Sequence, residues 1–349
     1  MRQMTARFKS KLVSLLDTVR LFYVFFRYEV TGKTSQWTGR YLISAFCFTG
    51  GRSNDWLSRL TSLRYPPRTL NLSPQLLKPM SEHELQTATA ELQRKGYIVL
   101  RQKLPEDFCD ELLRFALTHP ATLRQTDSSG AAQIQATYNP DQPRAVIYDF
   151  DKAAILSNER VQALLIDPLI LSIVQTYLQC EPVADMLSMW WSTAFKGQAD
   201  GEAAQLYHFD MDRIKWLKVF VYLTDVGADN GPHYFISGSQ RTGGIPQELL
   251  KKGYARLQDE EVARHYAAQD VVEVTAARGS ILIEDTRGLH KGQHVRNGHR
   301  LLLQYQFSNN RFGPETERGR ISTPKDSALR AVASKFPRLL SGYSLNSLD

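Results

Sequence analysis

Cysteine is scarce: Cys47, Cys109 and Cys180 are the only three in 349 residues, and no two form a C-x-x-C pair. That excludes a disulfide framework and a thiolate zinc site, and it suits a chain kept in a reducing, cytoplasmic compartment. The three read as buried apolar filler. Long apolar runs are also missing. Leu21 to Phe26 is the longest, only six residues before Arg27, far short of the roughly 18 that a spanning helix needs. This run lies too late, and is too aromatic, for a signal peptide, and no small-x-small cleavage site follows it closely. There is no internal repeat and no low-complexity tract. With 42% hydrophobic and 23% charged residues, the composition excludes a mainly disordered, collagen-like or coiled-coil chain. A large catalytic-sized domain with a smaller appendage is expected.

Charge is present but uneven. The net charge is +7, yet residues 1–78 hold 13 Lys and Arg against 3 Asp and Glu, which leaves the remainder slightly acidic. Residues 8–30 carry Leu12, Leu15, Leu16, Val19, Tyr23 and Phe26 at spacings of three and four, with Lys9, Lys11, Arg20 and Arg27 between them. This predicts a basic amphipathic helix. Its stripe can pack on the main domain or on a second copy, or it can lie on an anionic membrane as a peripheral contact. Nucleic acid is not expected as a partner, because no nucleic-acid module is recognisable. The Arg-rich stretch to Arg68, with Pro66, Pro67 and Pro74, reads as a connector, placing a boundary near residue 80.

Beyond that boundary the pattern changes. Ser81 with Glu84 predicts a capping-box helix through Lys95, closed by Gly96 before a strand at 97–101. A second helix is expected from Pro105 to about Leu117, and two more over 158–178, broken at Asp167-Pro168. Short strands follow at 183–195, 217–224, 233–236, 271–274, 280–285 and 300–307, with a helical excursion between Arg241 and His265 of the sort that covers a pocket. Helices first and short strands after indicate an α+β fold with an antiparallel sandwich or jelly roll.

Chemistry centres on His208 and Asp210, in Tyr-His-Phe-Asp, and on His290, in Gly-Leu-His-Lys-Gly. Residues i and i+2 of an extended segment point the same way, so the His208 imidazole and the Asp210 carboxylate can meet one ion. A second imidazole from a neighbouring strand completes a face and leaves the opposite positions open, the arrangement of non-haem Fe(II) oxygenases. An H-x-D pair alone recurs by chance. Arg300 adds weight, because it opens the apolar strand through Ser308, where burial requires a carboxylate partner. A dicarboxylate cosubstrate would supply one. Gln304 should share the face of Arg300, with Leu301, Leu303, Tyr305 and Phe307 on the other.

The segments from His208 to Gln240 and from Gly279 to Ser308, including the Asn230-Gly231-Pro232 turn, resemble the phytanoyl-CoA dioxygenase family of Fe(II)/2-oxoglutarate-dependent oxygenases. The resemblance extends over about residues 95–313. It implies a double-stranded β-helix (a cupin-like jelly roll) with flanking helices and an N-terminal helical arm. His208, Asp210 and His290 would then be the iron ligands, and Arg300 would hold the distal carboxylate of 2-oxoglutarate. O2 would be the second cosubstrate. The implied reaction hydroxylates an aliphatic C–H of a small-molecule or lipid-like substrate and releases succinate and CO2. Asp210 favours hydroxylation over halogenation, since related halogenases carry a small residue there. Phe209, between the ligands, departs from the polar residue often found in the family, and Gln240 stands where the family often has a histidine.

The expected division is a basic arm and connector over 1–80, the oxygenase domain over 81–313 and a tail over 314–349. Alternatives are an oxygenase acting on a protein or nucleic acid, or a non-catalytic scaffold anchored by the basic helix. Lys218 could reach a carboxylate in the pocket or snorkel, and one of Trp190 and Trp191 must face each side of its strand. His294 is not expected to form a zinc pair with His290, because Gly288 and Gly292 argue against a helix. His83, His119, His233, His265 and His299 read as surface or supporting residues.

Overall fold

The computed structural model describes residues 2–124 and 134–347, with backbone only for 2–10, so the Lys9 side chain lies outside it. Three helices lead: α1 (Arg2–Thr31), α2 (Thr38–Thr49) and α3 (Arg52–Arg64). Residues 38–64 are therefore helical where a connector was expected. Pro66, Pro67 and Pro74 interrupt only the chain beyond Arg64, while Leu42, Ala45 and Phe46 already keep a helical spacing and are buried. Gly50 and Gly51, at φ 60° and 91°, make the left-handed turn between α2 and α3 that other residues adopt only with strain.

The next part keeps to the expected pattern closely. Helix α4 (Glu82–Lys95) carries the reciprocal Ser81–Glu84 capping box and ends at Gly96, ahead of β1 (Tyr97–Lys103) and α5 (Glu106–Thr118). Short strands β2 (Ala121–Arg124), β3 (Gln135–Ala136) and β4 (Ile147–Asp149) lead to α6 (Lys152–Leu156), α7 (Glu159–Leu165) and α8 (Pro168–Leu178). Asp167 caps α8 by accepting the Leu169 N–H, with Pro168 in the first turn where its missing N–H costs nothing.

The remaining strands are β5 (Val183–Thr193), β6 (Trp216–Tyr222), β7 (His233–Ile236), β8 (Val271–Val274), β9 (Ser280–Glu284), β10 (His290–Gly292), β11 (His299–Ser308), β12 (Gly319–Thr323) and β13 (Tyr343–Ser347). They form an antiparallel sheet ordered β1-β9-β6-β11-β5-β4-β2-β3, a smaller sheet β10-β7-β8, and a parallel β12–β13 pair. The smaller sheet gains a fourth member through the antiparallel bridge of His208 with His290. Two four-stranded faces result, β9-β6-β11-β5 against the His208 segment with β10-β7-β8, and this is a double-stranded β-helix.

Alternation along β11 sorts the interior. Leu301, Leu303, Tyr305 and Phe307 face outward and join Trp191 and the α5–α8 side chains in one core. Leu302 faces inward with Phe220, Tyr222 and Leu282, so Arg300 and Gln304 share that inner face. A separate cluster buries Leu21, Phe25, Leu42, Phe46 and Leu57 of α1–α3 against Tyr207, Phe209, Met211 and Trp216. The first three helices thus share a core with the segment that carries His208 and Asp210.

Two details differ from expectation. Between Arg241 and His265 only α9 (Gln247–Leu250) and α10 (Asp259–Ala263) are helical, because Gly243, Gly244, Pro246 and Gly253 interrupt the run. At the C-terminal end, α11 (Ala328–Lys335) and β13 send Leu329, Val332, Phe336 and Tyr343 into the main core. The three cysteines are free thiols; Cys109 and Cys180 fill the core and Cys47 is half-buried.

Candidate metal centre

His208 and His290 face each other across a pair of backbone hydrogen bonds, 3.0 Å from His208 N to His290 O and 2.9 Å in return. Their rings lie 4.3 Å apart, and Asp210, two residues on, turns its carboxylate to the same side. One donor atom from each residue lies within 4.8 Å of the others, and all three side chains are buried. His208 Nε2 is 3.6 Å from Asp210 Oδ1, and His290 Nε2 is 3.5 Å from Asp210 Oδ2.

The tautomers are set by the partners. His208 Nδ1 sits 2.9 Å from the Leu206 carbonyl and His290 Nδ1 3.0 Å from the Gly288 carbonyl. A carbonyl oxygen only accepts, so each Nδ1 carries a proton and each Nε2 faces Asp210. Burial, reinforced by the neighbouring His290, pushes the His208 pKa down to about 3, keeping that ring neutral. Burial works against charge on Asp210 as well, yet Lys218 and His290 hold its carboxyl well below the usual range. His290 is raised despite its burial, through Asp210. Lys218 Nζ donates to Asp210 Oδ2 at 2.6 Å, and its pKa is raised above the usual lysine value by Asp210 and Asp212, again against burial. The carboxylate therefore draws positive charge to this point. Two imidazole nitrogens and a fixed carboxylate oxygen on one side are a donor set suited to a divalent transition metal such as Fe(II).

Arg300 lies inside the barrel on β11. Its Nη1 donates to the Gly231 carbonyl and its Nη2 to Ser192 Oγ at 3.3 Å, while the buried Nε has no partner. Among the described residues no carboxylate lies within ion-pair distance of it, and burial lowers its pKa. A buried cation with a spare donor suits the carboxylate of an anionic guest. Gly231, at φ 88°, brings its carbonyl to Arg300; an added Cβ there would come within 2.9 Å of the Gln293 carbonyl. Asn230 fixes the turn, accepting the Gly227 N–H and donating to the Asp225 and His299 carbonyls.

Phe209 points away from the centre and packs on Phe46 of α2 at 5.1 Å and on Tyr254 at 5.6 Å. Trp191 is core, donating its indole N–H to the Ala116 carbonyl, while Trp190 is half-buried on the inner side. His83, His119 and His265 are exposed, His294 lies half-buried beyond β10, and His299 packs on Trp191 and Tyr138.

Two inner residues stand out only in the structure. Glu284, opposite Lys218 in the β9–β6 register, has both carboxylate oxygens buried without a hydrogen-bond partner. His233, expected to be surface or supporting, is buried with its Nδ1 3.8 Å from Glu284 Oε1. Strand alternation was the available signal, since Glu284 follows Leu282 on the inner face.

A jelly roll that gathers two imidazoles and a carboxylate on one face has the architecture of a non-haem Fe(II) oxygenase. Residues 92–301, well over half of the chain, match the phytanoyl-CoA dioxygenase (PhyH) family, and the chain belongs to it. It is thus a 2-oxoglutarate-dependent oxygenase, with Fe(II) as cofactor and 2-oxoglutarate and O2 as cosubstrates. Among solved structures it is similar to EctD from S. alaskensis, at 20% identity and TM-score 0.46, over 72% of this chain and 85% of that one. It is also similar to the non-heme alpha ketoglutarate dependent epimerase SnoN from nogalamycin biosynthesis, at 17% identity and TM-score 0.43, over 65% and 84% of the two chains. AviO1 from Streptomyces viridochromogenes Tue57 matches at 16% identity and TM-score 0.43, over 68% of this chain and 100% of that one. No curated protein matches the chain.

Proposed function

We propose that the protein hydroxylates an aliphatic C–H of a small-molecule or lipid-like substrate, consuming 2-oxoglutarate and O2 and releasing succinate and CO2. In this reading His208, Asp210 and His290 hold the iron and Arg300 holds the distal carboxylate of 2-oxoglutarate. The observation that carries it is the convergence of the three donor atoms within 4.8 Å in a barrel whose inner face also holds a buried guanidinium with a spare N–H. A ferrous ion held there supplies the chemistry that couples decarboxylation of 2-oxoglutarate to insertion of one oxygen atom into the substrate.

The chain's own residues do the rest. The Leu206 and Gly288 carbonyls accept from both Nδ1–H groups, which turns each Nε2 toward the centre, and burial keeps the His208 ring neutral there. Lys218 keeps Asp210 anionic and fixes one of its oxygens. Phe220, Tyr222, Leu282 and Leu302 line the barrel interior and keep bulk water away. Asp210 supplies the carboxylate that halide-binding relatives lack, which favours hydroxylation. Residues 81–313 form the catalytic unit in this reading, with α1–α3 supporting it from behind Phe209.

The test is anaerobic addition of Fe(II) and 2-oxoglutarate to the full chain. A visible charge-transfer band should appear, and it should vanish in His208→Ala. A well-folded wild type that gives no band refutes the iron assignment. Succinate release across a metabolite panel then identifies the substrate.

A further inference from the structure

Helix α1 is apolar on two opposite sides. Leu21, Val24 and Phe25 form the inner side, buried against α2 and the barrel, with the Phe25 ring 5.3 Å from Phe312. Leu12, Leu15, Leu16, Val19, Tyr23, Phe26 and Val30 recur at three- and four-residue steps on the other side, and every one is exposed, Tyr23 at 69% and Val30 at 86%. At 1.5 Å per residue this stripe runs roughly 27 Å. The inner contacts clamp the helix, so the outer stripe is held facing away from the protein. A groove of about 620 Å³ lined by Phe22, Phe48, Trp56 and Arg52 runs alongside it. Among the described residues, twelve of the 15 large exposed hydrophobic side chains fall between Leu12 and Leu63, so this apolar surface is concentrated on α1–α3.

Charge identifies what covers it. The acids in this region are Asp17, Glu29 and Asp55, and each is engaged: Asp17 by Arg20 and Arg40, Glu29 by Arg64, and Asp55 by Arg287. Lys11, Arg27, Lys33 and Arg52 are exposed and have no acidic partner among the described residues. On the helical wheel Arg20 and Arg27 flank the stripe on one side and Lys11 on the other. A second copy meeting this face about a twofold axis would set basic fringe against basic fringe. A surface apolar in depth and negative at its rim is complementary instead, and an anionic bilayer is such a surface. Helix α1 is not among the helices long and apolar enough to cross a membrane. The one such stretch among the described residues, Glu159–Leu178, is 72% buried in the core.

We infer that the outer face of α1 docks on an anionic lipid bilayer, lying in the interface plane with Tyr23 and Phe26 inserted and Lys11 and Arg27 at the headgroups. The binding is peripheral, and it leaves the inner stripe in place.

Flotation of the full chain with phosphatidylcholine vesicles, with and without phosphatidylserine, tests this. Wild type should float with the anionic vesicles and partition on the order of tenfold less onto the neutral ones. Tyr23→Glu/Phe26→Glu and Lys11→Glu/Arg27→Glu should each lose on the order of tenfold while keeping the wild-type melting temperature, because all four side chains are exposed. Three outcomes overturn the inference: no flotation with anionic vesicles, equal flotation with both kinds, or a Tyr23→Glu/Phe26→Glu variant that floats normally but converts a dimer to a monomer in sedimentation.

Discussion

Replacing Glu284 with Gln should make the protein more stable above neutral pH, an unusual outcome for a substitution inside a core. Glu284 ends β9, fully buried, and neither of its oxygens has a hydrogen-bond partner. Its neighbour His233 offers no charge, because burial and then the Arg300 charge hold its pKa well below the usual imidazole value. Burial lifts the Glu284 pKa from 4.5 to about 7. A carboxyl raised in the folded state keeps its proton where the unfolded chain has released it. Its contribution is therefore fully present below about pH 4.5 and is lost as pH rises through about 7. A shift of that size at 1.36 kcal/mol per unit corresponds to about 3 kcal/mol. Gln has the same shape and no charge to release. Urea unfolding of chelator-treated protein should show Glu284→Gln exceeding wild type by up to about 3 kcal/mol at about pH 8, with the two within about 1 kcal/mol near pH 4. Parallel stability–pH curves for the two proteins, or a variant weaker than wild type at the higher pH, would refute the assignment of Glu284 as a buried acid penalised by desolvation.

Three further outcomes rest on the same geometry. Lys218→Met removes the 2.6 Å bond that orients Asp210 and should weaken Fe(II) binding roughly 10- to 100-fold in a metal-competition titration; tighter binding would mean that Lys218 repels the metal rather than positioning its ligand. Phe46→Ala empties the contact between α2 and Phe209 and should cost about 3–5 kcal/mol in urea unfolding. An unchanged midpoint there would show that α1–α3 do not share the barrel's core. Arg300→Lys loses the planar fork that reaches Gly231 and Ser192 at once, so the KM for 2-oxoglutarate should rise about tenfold or more with a smaller change in kcat; a fall in kcat alone would place Arg300 elsewhere in the reaction.

Local geometry explains which parts of this molecule are legible in its sequence. The Ser81 capping box, the Asp167-Pro168 break and the alternation of β11 each depend on residues at most a few positions apart, and each appears as expected. His208 and Asp210 share a side because an extended chain repeats every two residues. His290 joins them only through a backbone bridge spanning 82 residues, which spacing alone cannot supply and family resemblance does. Helix α1 marks the limit of periodicity. Its outer stripe is the more regular of its two apolar sides, so spacing singles out that one, yet the side that docks on the barrel is chosen by Phe46 and Phe312, remote in the chain. The connector reading of residues 38–64 fails similarly, because Pro66 and Pro67 govern only the chain after Arg64, and the burial of Leu42 and Phe46 depends on the Tyr207–Met211 segment being there to receive them. The His208–Asp210 segment and the first three helices are consequently one mechanical unit. Removing α1 would strip the packing from behind Phe209, so loss of iron binding in such a truncation would report on the core, and only surface substitutions such as Tyr23→Glu can separate a membrane role from a structural one.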